Sequence, residues 1–197
     1  MLKSEREKLD RSESEFLSIG ITENGERHGA IGIPWESTAH AFNMRLPQVY
    51  ISPDDINDRA LMERLTSYKV IGLYIWAHLP DYSFISGFKL LQDVSIKNGD
   101  AIESLDFLSD LTECRMLYLQ NARLNDLEVI ASLKRNAGAA MGRVRCLCLD
   151  NCRVSDISCL QEQGLFFSEL IVRMPKGTGE GERWRGVASG RVKYIEF

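Results

Sequence analysis

An eleven-residue pattern occurs twice in the middle of this chain, and it constrains the fold more than any other feature. The first copy runs from Cys114 to Leu124, and the second runs from Val144 to Val154. Both copies place apolar or small residues at positions 1, 4, 6, 9 and 11. A unit of this kind cannot bury its apolar side alone, so it must stack against further copies of itself.

Weaker copies extend the pattern on both sides. Each has two apolar residues one position apart, which is typical of a short strand with one buried face. With position 4 as the marker, the predicted strands contain Val49, Leu73, Val94, Leu117, Leu147, Leu170 and Ile195. Successive markers are 21 to 30 residues apart, and most of these spacings fall within the range of about 20–29 residues found in one class of repeat protein.

The pattern resembles that of the leucine-rich repeat family, L-x-x-L-x-L-x-x-N/C-x-L, over about residues 46–197. Cys152 stands where the family places Asn or Cys, whereas Ala122 stands there in the other clear copy. The resemblance implies an α/β solenoid, with a parallel sheet on its concave face and short helices and loops on its convex face. It also implies irregular turns where the Asn is missing. The alternative is an ordinary α/β domain with similar strands.

The chain is predicted to divide into an N-terminal cap, residues 1–45, and the repeats, residues 46–197, with about seven strands. A cap is expected because terminal repeats need a closing surface. The charged segment 1–15 fits a short amphipathic helix or a frayed end equally well. The apolar runs Phe16–Ile21 and Ala30–Ile33 flank an Asn-Gly pair, which predicts a β-hairpin within the cap.

Composition narrows the class of protein. The chain has 197 residues, of which 44% are hydrophobic, and a formal net charge of −4. This composition is typical of a folded globular protein and argues against non-specific nucleic-acid binding, which leaves a basic footprint. No segment approaches the ~18 apolar residues of a membrane span, and the charged start lacks the apolar core of a signal peptide. We expect a cytoplasmic protein without nucleic-acid or membrane partners.

The five cysteines are expected to be reduced thiols without a metal. Cys146, Cys148 and Cys152 do not match the spacing of a zinc site such as Cys-x-x-Cys. Free cysteine commonly behaves as a small hydrophobic residue, so these are predicted to be small core or surface thiols. No cofactor is predicted.

Side chains alternate along a strand, so positions 3, 5 and 7 should face away from the core formed by positions 4 and 6. This assignment predicts exposed tyrosines at position 5, with Tyr74 and Tyr118 flanking a shallow depression at Ser95. It also predicts that Cys148 is exposed. Exposed aromatic residues in a row are typical of binding surfaces. The candidate partner-binding residues are Tyr50, Tyr74, Trp76, Lys97, Tyr118, Asp150 and Arg173.

The resemblance implies a protein-binding scaffold, an adaptor or inhibitor, with no catalysis of its own. Trp184 is a secondary anchor candidate, unless it folds back over the last repeat. One alternative is an enzyme or enzyme regulator with a site in the cap around His28, His40 and Trp35. Another is a structural protein that forms homodimers through the edge of its C-terminal strand.

Overall fold

A computed structural model of the chain describes residues 1–12, 14–27, 46–135, 144–162, 165–175, 181–187 and 189–196. The strands are β1 (Phe16–Ile21), β2 (Gln48–Ile51), β3 (Lys69–Ile75), β4 (Asp93–Ile96), β5 (Met116–Gln120), β6 (Arg123–Leu124), β7 (Cys146–Asp150), β8 (Arg153–Val154), β9 (Phe167–Met174) and β10 (Ser189–Glu196). The α-helices are α1 (Lys3–Arg11), α2 (Arg59–Thr66), α3 (Glu128–Arg135) and α4 (Gly181–Trp184). Short 3₁₀ helices occupy Pro53–Asn57, Ser83–Gly87, Asp106–Leu108 and Ser158–Gln161.

Eight strands form one open, parallel sheet in the order β10-β9-β7-β5-β4-β3-β1-β2. The strands β6 and β8 form a second, two-stranded parallel ladder. The prediction of an α/β fold with a large parallel sheet is therefore confirmed. The predicted register is correct for six of the seven position-4 residues, which are Val49, Leu73, Val94, Leu117, Leu147 and Leu170. From Leu73 to Leu170, each pairs directly with the next one. Val49 and Leu73 both pair with Ile19 of β1, which lies between their strands.

The predicted N-terminal hairpin is wrong in its first arm. Strand β1 lies between β2 and β3 and pairs in parallel with both. Because both of its edges are occupied, it has no edge left for an antiparallel partner. The proposed second arm, Ala30–Ile33, lies outside the described residues.

The last strand is displaced from its predicted register. In β10, Val192 pairs with Leu170 of β9 and Tyr194 pairs with Val172. Position 4 is therefore Val192 rather than Ile195, which pairs instead with Arg173. A shift by three residues, an odd number, exchanges the two faces of a strand.

The main core lies on one side of the sheet, under the helices and loops that connect the strands. Positions 4 and 6 supply its centre, and Leu73, Leu117 and Leu147 are fully buried there. The connections complete it, and helix α2 contributes Leu61 and Leu65. An apolar stripe along each short connection is therefore enough to close the core.

The turns after the strands are more regular than the missing Asn at position 9 suggests. Asn98, Asn121 and Asn151 all stand at position 8, one residue earlier. The side-chain amide of Asn98 donates to the Trp76 carbonyl, and that of Asn151 donates to Asn121 Oδ1 at 2.8 Å. Asn121 and Asn151 have positive φ angles of 66° and 53°, a conformation that Asn tolerates better than most residues. Cys152 hydrogen-bonds to the Leu119 carbonyl at 3.3 Å.

Helix α1 packs against β2, the edge strand of the sheet. Leu9 is fully buried, and the Glu5 carboxylate accepts a hydrogen bond from the Tyr50 backbone N–H at 2.8 Å. The N-terminal segment thus forms a helix that covers an edge donor of the sheet, rather than a frayed end. No helix within the described ranges is long and apolar enough to cross a bilayer.

We predict that Leu147→Ala lowers the free energy of unfolding by about 2–5 kcal/mol, because it removes a fully buried side chain and leaves a cavity between β5 and β9. Urea unfolding measures the change. Arg145→Ala, two residues earlier at an exposed position, is the control and should shift stability by less than about 0.5 kcal/mol. Equal effects of the two substitutions would contradict the register.

Candidate functional site

The side of the sheet opposite the main core, which carries positions 3, 5 and 7, is called here the second face. Its residues are separate from the main core, as predicted: Met116, Tyr118, Cys148 and Ile171 form a cluster of their own. Their exposure is not as predicted. Tyr50, Tyr74, Tyr118 and Cys148 are at most 4% exposed, so the expected row of exposed position-5 side chains is wrong.

Two glycines explain how the tyrosines at the β2 end of the sheet are buried. A Cβ atom on Gly20 would lie 2.6 Å from the Tyr50 ring, and one on Gly72 would lie 3.1 Å from the Tyr74 ring. Both distances are shorter than ordinary contacts between carbon atoms. The rings therefore lie down onto the backbone at positions where no side chain intervenes.

The Tyr74 hydroxyl donates to Asp93 Oδ2 of the neighbouring strand at 3.1 Å. Asp93 is 1% exposed. Burial, and then the negative charge of Asp93, raise the pKa of Tyr74 well above its usual value. Because the phenol stays protonated, it remains a donor to this carboxylate and satisfies part of its hydrogen-bonding capacity.

A second tyrosine–aspartate pair occurs two strands along the sheet. The Tyr118 hydroxyl donates to Asp150 Oδ2 at 2.9 Å, and the Arg173 guanidinium reaches the same oxygen at 3.0 Å. Burial and the charge of Asp150 raise the pKa of Tyr118. Asp150 is buried while Arg173 is partly exposed. The carboxylate therefore anchors one end of the guanidinium of a side chain that is 32% exposed.

Position 7, near the carboxyl ends of the strands, holds the accessible part of the second face. Four of the partly exposed residues at this position, on the strands from β3 to β9, are called here the rim row: Trp76, Lys97, Gln120 and Arg173. The Trp76 ring lies beside the rings of Tyr50 and Tyr74, with its centroid 6.3 Å from each. The buried tyrosines thus hold the exposed aromatic residue in place.

The predicted site residues therefore divide into two groups. Trp76, Lys97 and Arg173 are accessible, whereas the tyrosines and Asp150 support them from below. Trp184 belongs to neither group, because it is 1% exposed within the main core. It folds back over the last repeat, which was the alternative reading of its loop.

The candidates for the enzyme alternative, His28, His40 and Trp35, lie outside the described residues. His78 is exposed, and its Nδ1 lies 3.8 Å from Asp100 Oδ2. In the part of the chain that the structure describes, no three histidine, cysteine or acidic side chains are grouped as metal ligands would be.

Sequence reasoning missed Gly20, Gly72, Asp93 and Gln120. Gly72 and Asp93 stand at position 3 and Gln120 at position 7 of strands that were correctly registered, so reading all outward positions together would have found them. Gly20 could not be found in this way, because β1 was assigned to a hairpin. The sequence matches no protein-family model, and no curated protein matches it significantly.

We predict that Cys146 reacts first with a thiol reagent in the native protein. Cys146 is partly exposed, whereas Cys114, Cys148 and Cys152 are at most 1% exposed. Burial raises the pKa of Cys114 and of Cys152 to about 12, and the reactive thiolate is scarce at such values. Mass spectrometry after a short exposure to iodoacetamide locates the label. Cys146→Ser should remove the fast phase, and labelling of Cys148 at the same rate would contradict the buried second face.

We predict that Tyr118→Phe lowers stability by about 1–3 kcal/mol at pH 8, because it leaves buried Asp150 short of a donor. An unfolded tyrosine has a pKa of about 10 and the folded value is raised, so this contribution is complete below pH ~10 and is lost as the pH rises further. Urea unfolding at pH 8 and above pH 10 measures both effects. Tyr82→Phe is the control, since its hydroxyl donates to the neutral Asn98 carbonyl. A loss no larger than the control's would contradict the pairing.

Proposed function

We propose that this chain is a leucine-rich-repeat-like solenoid that serves as a binding scaffold, an adaptor or inhibitor, and takes a protein partner along the rim row. The observation that carries the proposal is Trp76. It is a partly exposed tryptophan that neighbours two buried tyrosine rings. Such a ring loses little conformational freedom on binding, which favours a role as an interface anchor.

The charges of the rim row support the same role. Arg173 is positioned by Asp150, which is itself held by Tyr118. A guanidinium oriented in this way loses less entropy when it pairs with a carboxylate than a freely rotating one would. Lys97 lies between it and Trp76, so the row presents one aromatic and two cationic groups.

The spacing of these groups suggests the form of the partner. Neighbouring strands lie about 4.8 Å apart, so Lys97 and Arg173, three strands apart in the sheet order, are separated by roughly 14 Å. An extended peptide advances ~3.3 Å per residue. A peptide segment lying across the strands would therefore pair with Lys97 and Arg173 through two acidic residues about four positions apart. An apolar residue that precedes the first acidic residue would contact Trp76.

We predict that Trp76→Ala weakens partner binding by about 2 kcal/mol or more, as expected for an anchor. The partner is first identified by pull-down with the intact chain, and its affinity is then measured by calorimetry. Phe166→Ala is the matched control, because Phe166 is an exposed aromatic residue at the opposite end of the strands. It should leave the affinity unchanged.

A second variant separates binding from folding. Arg173→Gln keeps a polar side chain at the surface and should weaken binding to the unmodified partner. For a partner segment whose acidic residue has been replaced by alanine, Arg173→Gln should cause little further loss of affinity. Both variants are checked by urea unfolding. Unchanged affinity in folded Trp76→Ala and folded Arg173→Gln would show that the rim row is not the binding site.

A further inference from the structure

A cleft of about 740 Å³ lies at the β2 end of the sheet, away from the rim row. One wall is a single face of helix α1, with Ser4, Lys8, Arg11 and Ser12. The other is formed by Arg27 and the chain that enters β2, from Leu46 onwards. The volume falls within the range of about 300–1,000 Å³ that is usual for small-molecule sites.

The cleft carries an excess of positive charge. Its charged lining residues are Lys8, Arg11, Arg27 and Glu7. The Lys8 ammonium is paired with Glu5 at 2.5 Å, whereas Arg11 and Glu7 are a loose pair at 3.8 Å between exposed side chains. Such an exposed pair contributes little, so the Arg11 guanidinium can turn towards a ligand.

Lys8 and Arg11 also have a structural role, because cations in the last turn offset the negative end of a helix dipole. Arg27 has no such role, since it does not lie on a helix. Its guanidinium lies near the Tyr50 hydroxyl, and that hydroxyl donates to Gln48 Oε1 at 2.8 Å. Arg27 thus places a cation at the side of the cleft opposite the helix.

Two further features suit an organic ligand rather than a bare ion. Leu46 and Pro47 provide an apolar wall beside the cations. The Ser12 hydroxyl lines the cleft, is buried, and has no hydrogen-bond partner within the described residues. A buried hydroxyl without a partner is costly, and a rotation of the Ser12 side chain into the cleft would let a ligand oxygen satisfy it.

We propose that this cleft binds a small organic anion, whose phosphate or carboxylate head lies between Arg27 and Arg11 and whose apolar body lies against Leu46 and Pro47. The Ser12 hydroxyl donates to the anionic head. This proposal does not rest on the proposed scaffold function, although Tyr50 both lines the cleft and contacts Trp76 of the rim row.

The test is calorimetric titration of the full chain with phenyl phosphate, benzoate and inorganic phosphate. Phenyl phosphate or benzoate should bind in a saturable manner and more tightly than inorganic phosphate, because only the aromatic probes use the apolar wall. Whichever of phenyl phosphate and benzoate binds with the higher affinity identifies the preferred head group. Arg27→Gln should weaken that binding by about tenfold, as expected for the loss of one charged hydrogen bond.

Arg59→Gln is the matched control, because Arg59 is an exposed arginine on helix α2, outside the cleft. It should leave the affinity unchanged. NMR spectra of the wild-type chain, recorded during the same titration, should show changes in the backbone amide chemical shifts of Ser12 and Gln48. These changes decide the outcome if Arg27→Gln does not fold. The proposal is overturned if no probe saturates the chain, if folded Arg27→Gln binds as the wild type does, or if the shifts lie elsewhere.

Discussion

The parallel alignment of the strands is the constraint on which the rest of this structure depends. Each position-4 residue lies beside its counterpart on the next strand, as Leu117 does beside Leu147. Because side chains alternate, this single register fixes both faces of the sheet at once. A slip of one residue in β7 would remove Leu147 from the main core and also separate Asp150 from Tyr118. The core and the candidate site are therefore held by the same hydrogen-bond ladder.

The second face shows what a sheet does when its outer side chains are large but must be buried. Tyr50 and Tyr74 lie flat because glycine stands where a side chain would block the ring. Their hydroxyls then need partners, and a buried carboxylate supplies one for Tyr74. Each buried carboxylate is in turn expensive unless it is paired and hydrogen-bonded. The glycines, the rings and the acids thus form one interdependent arrangement, rather than separate surface features.

Much of the fold follows from the sequence, because two apolar residues one apart, repeated at a near-constant spacing, specify stacked strands. The exceptions have physical reasons. For β1, a local Asn-Gly signal could not reveal that its partners lie 30 residues away in β2 and 53 or 54 residues away in β3. In β10, two placements three residues apart both give apolar pairs, and only pairing with β9 separates them. Alternation assigned the tyrosines to the correct face, but whether a face is covered depends on neighbouring strands, which the pattern does not describe.

The burial of the tyrosines changes the part that the second face would play in the proposed binding. A fully exposed ring must be immobilised when a partner arrives, and this ordering weakens the affinity. Trp76 is already immobilised by Tyr50 and Tyr74, and Arg173 by Asp150. A buried ion pair rarely adds net stability, so the Tyr118–Asp150–Arg173 group is better explained by the orientation that it gives to an accessible guanidinium. In this view, the polar groups beneath the rim row reduce the loss of side-chain conformational entropy that would otherwise accompany partner binding.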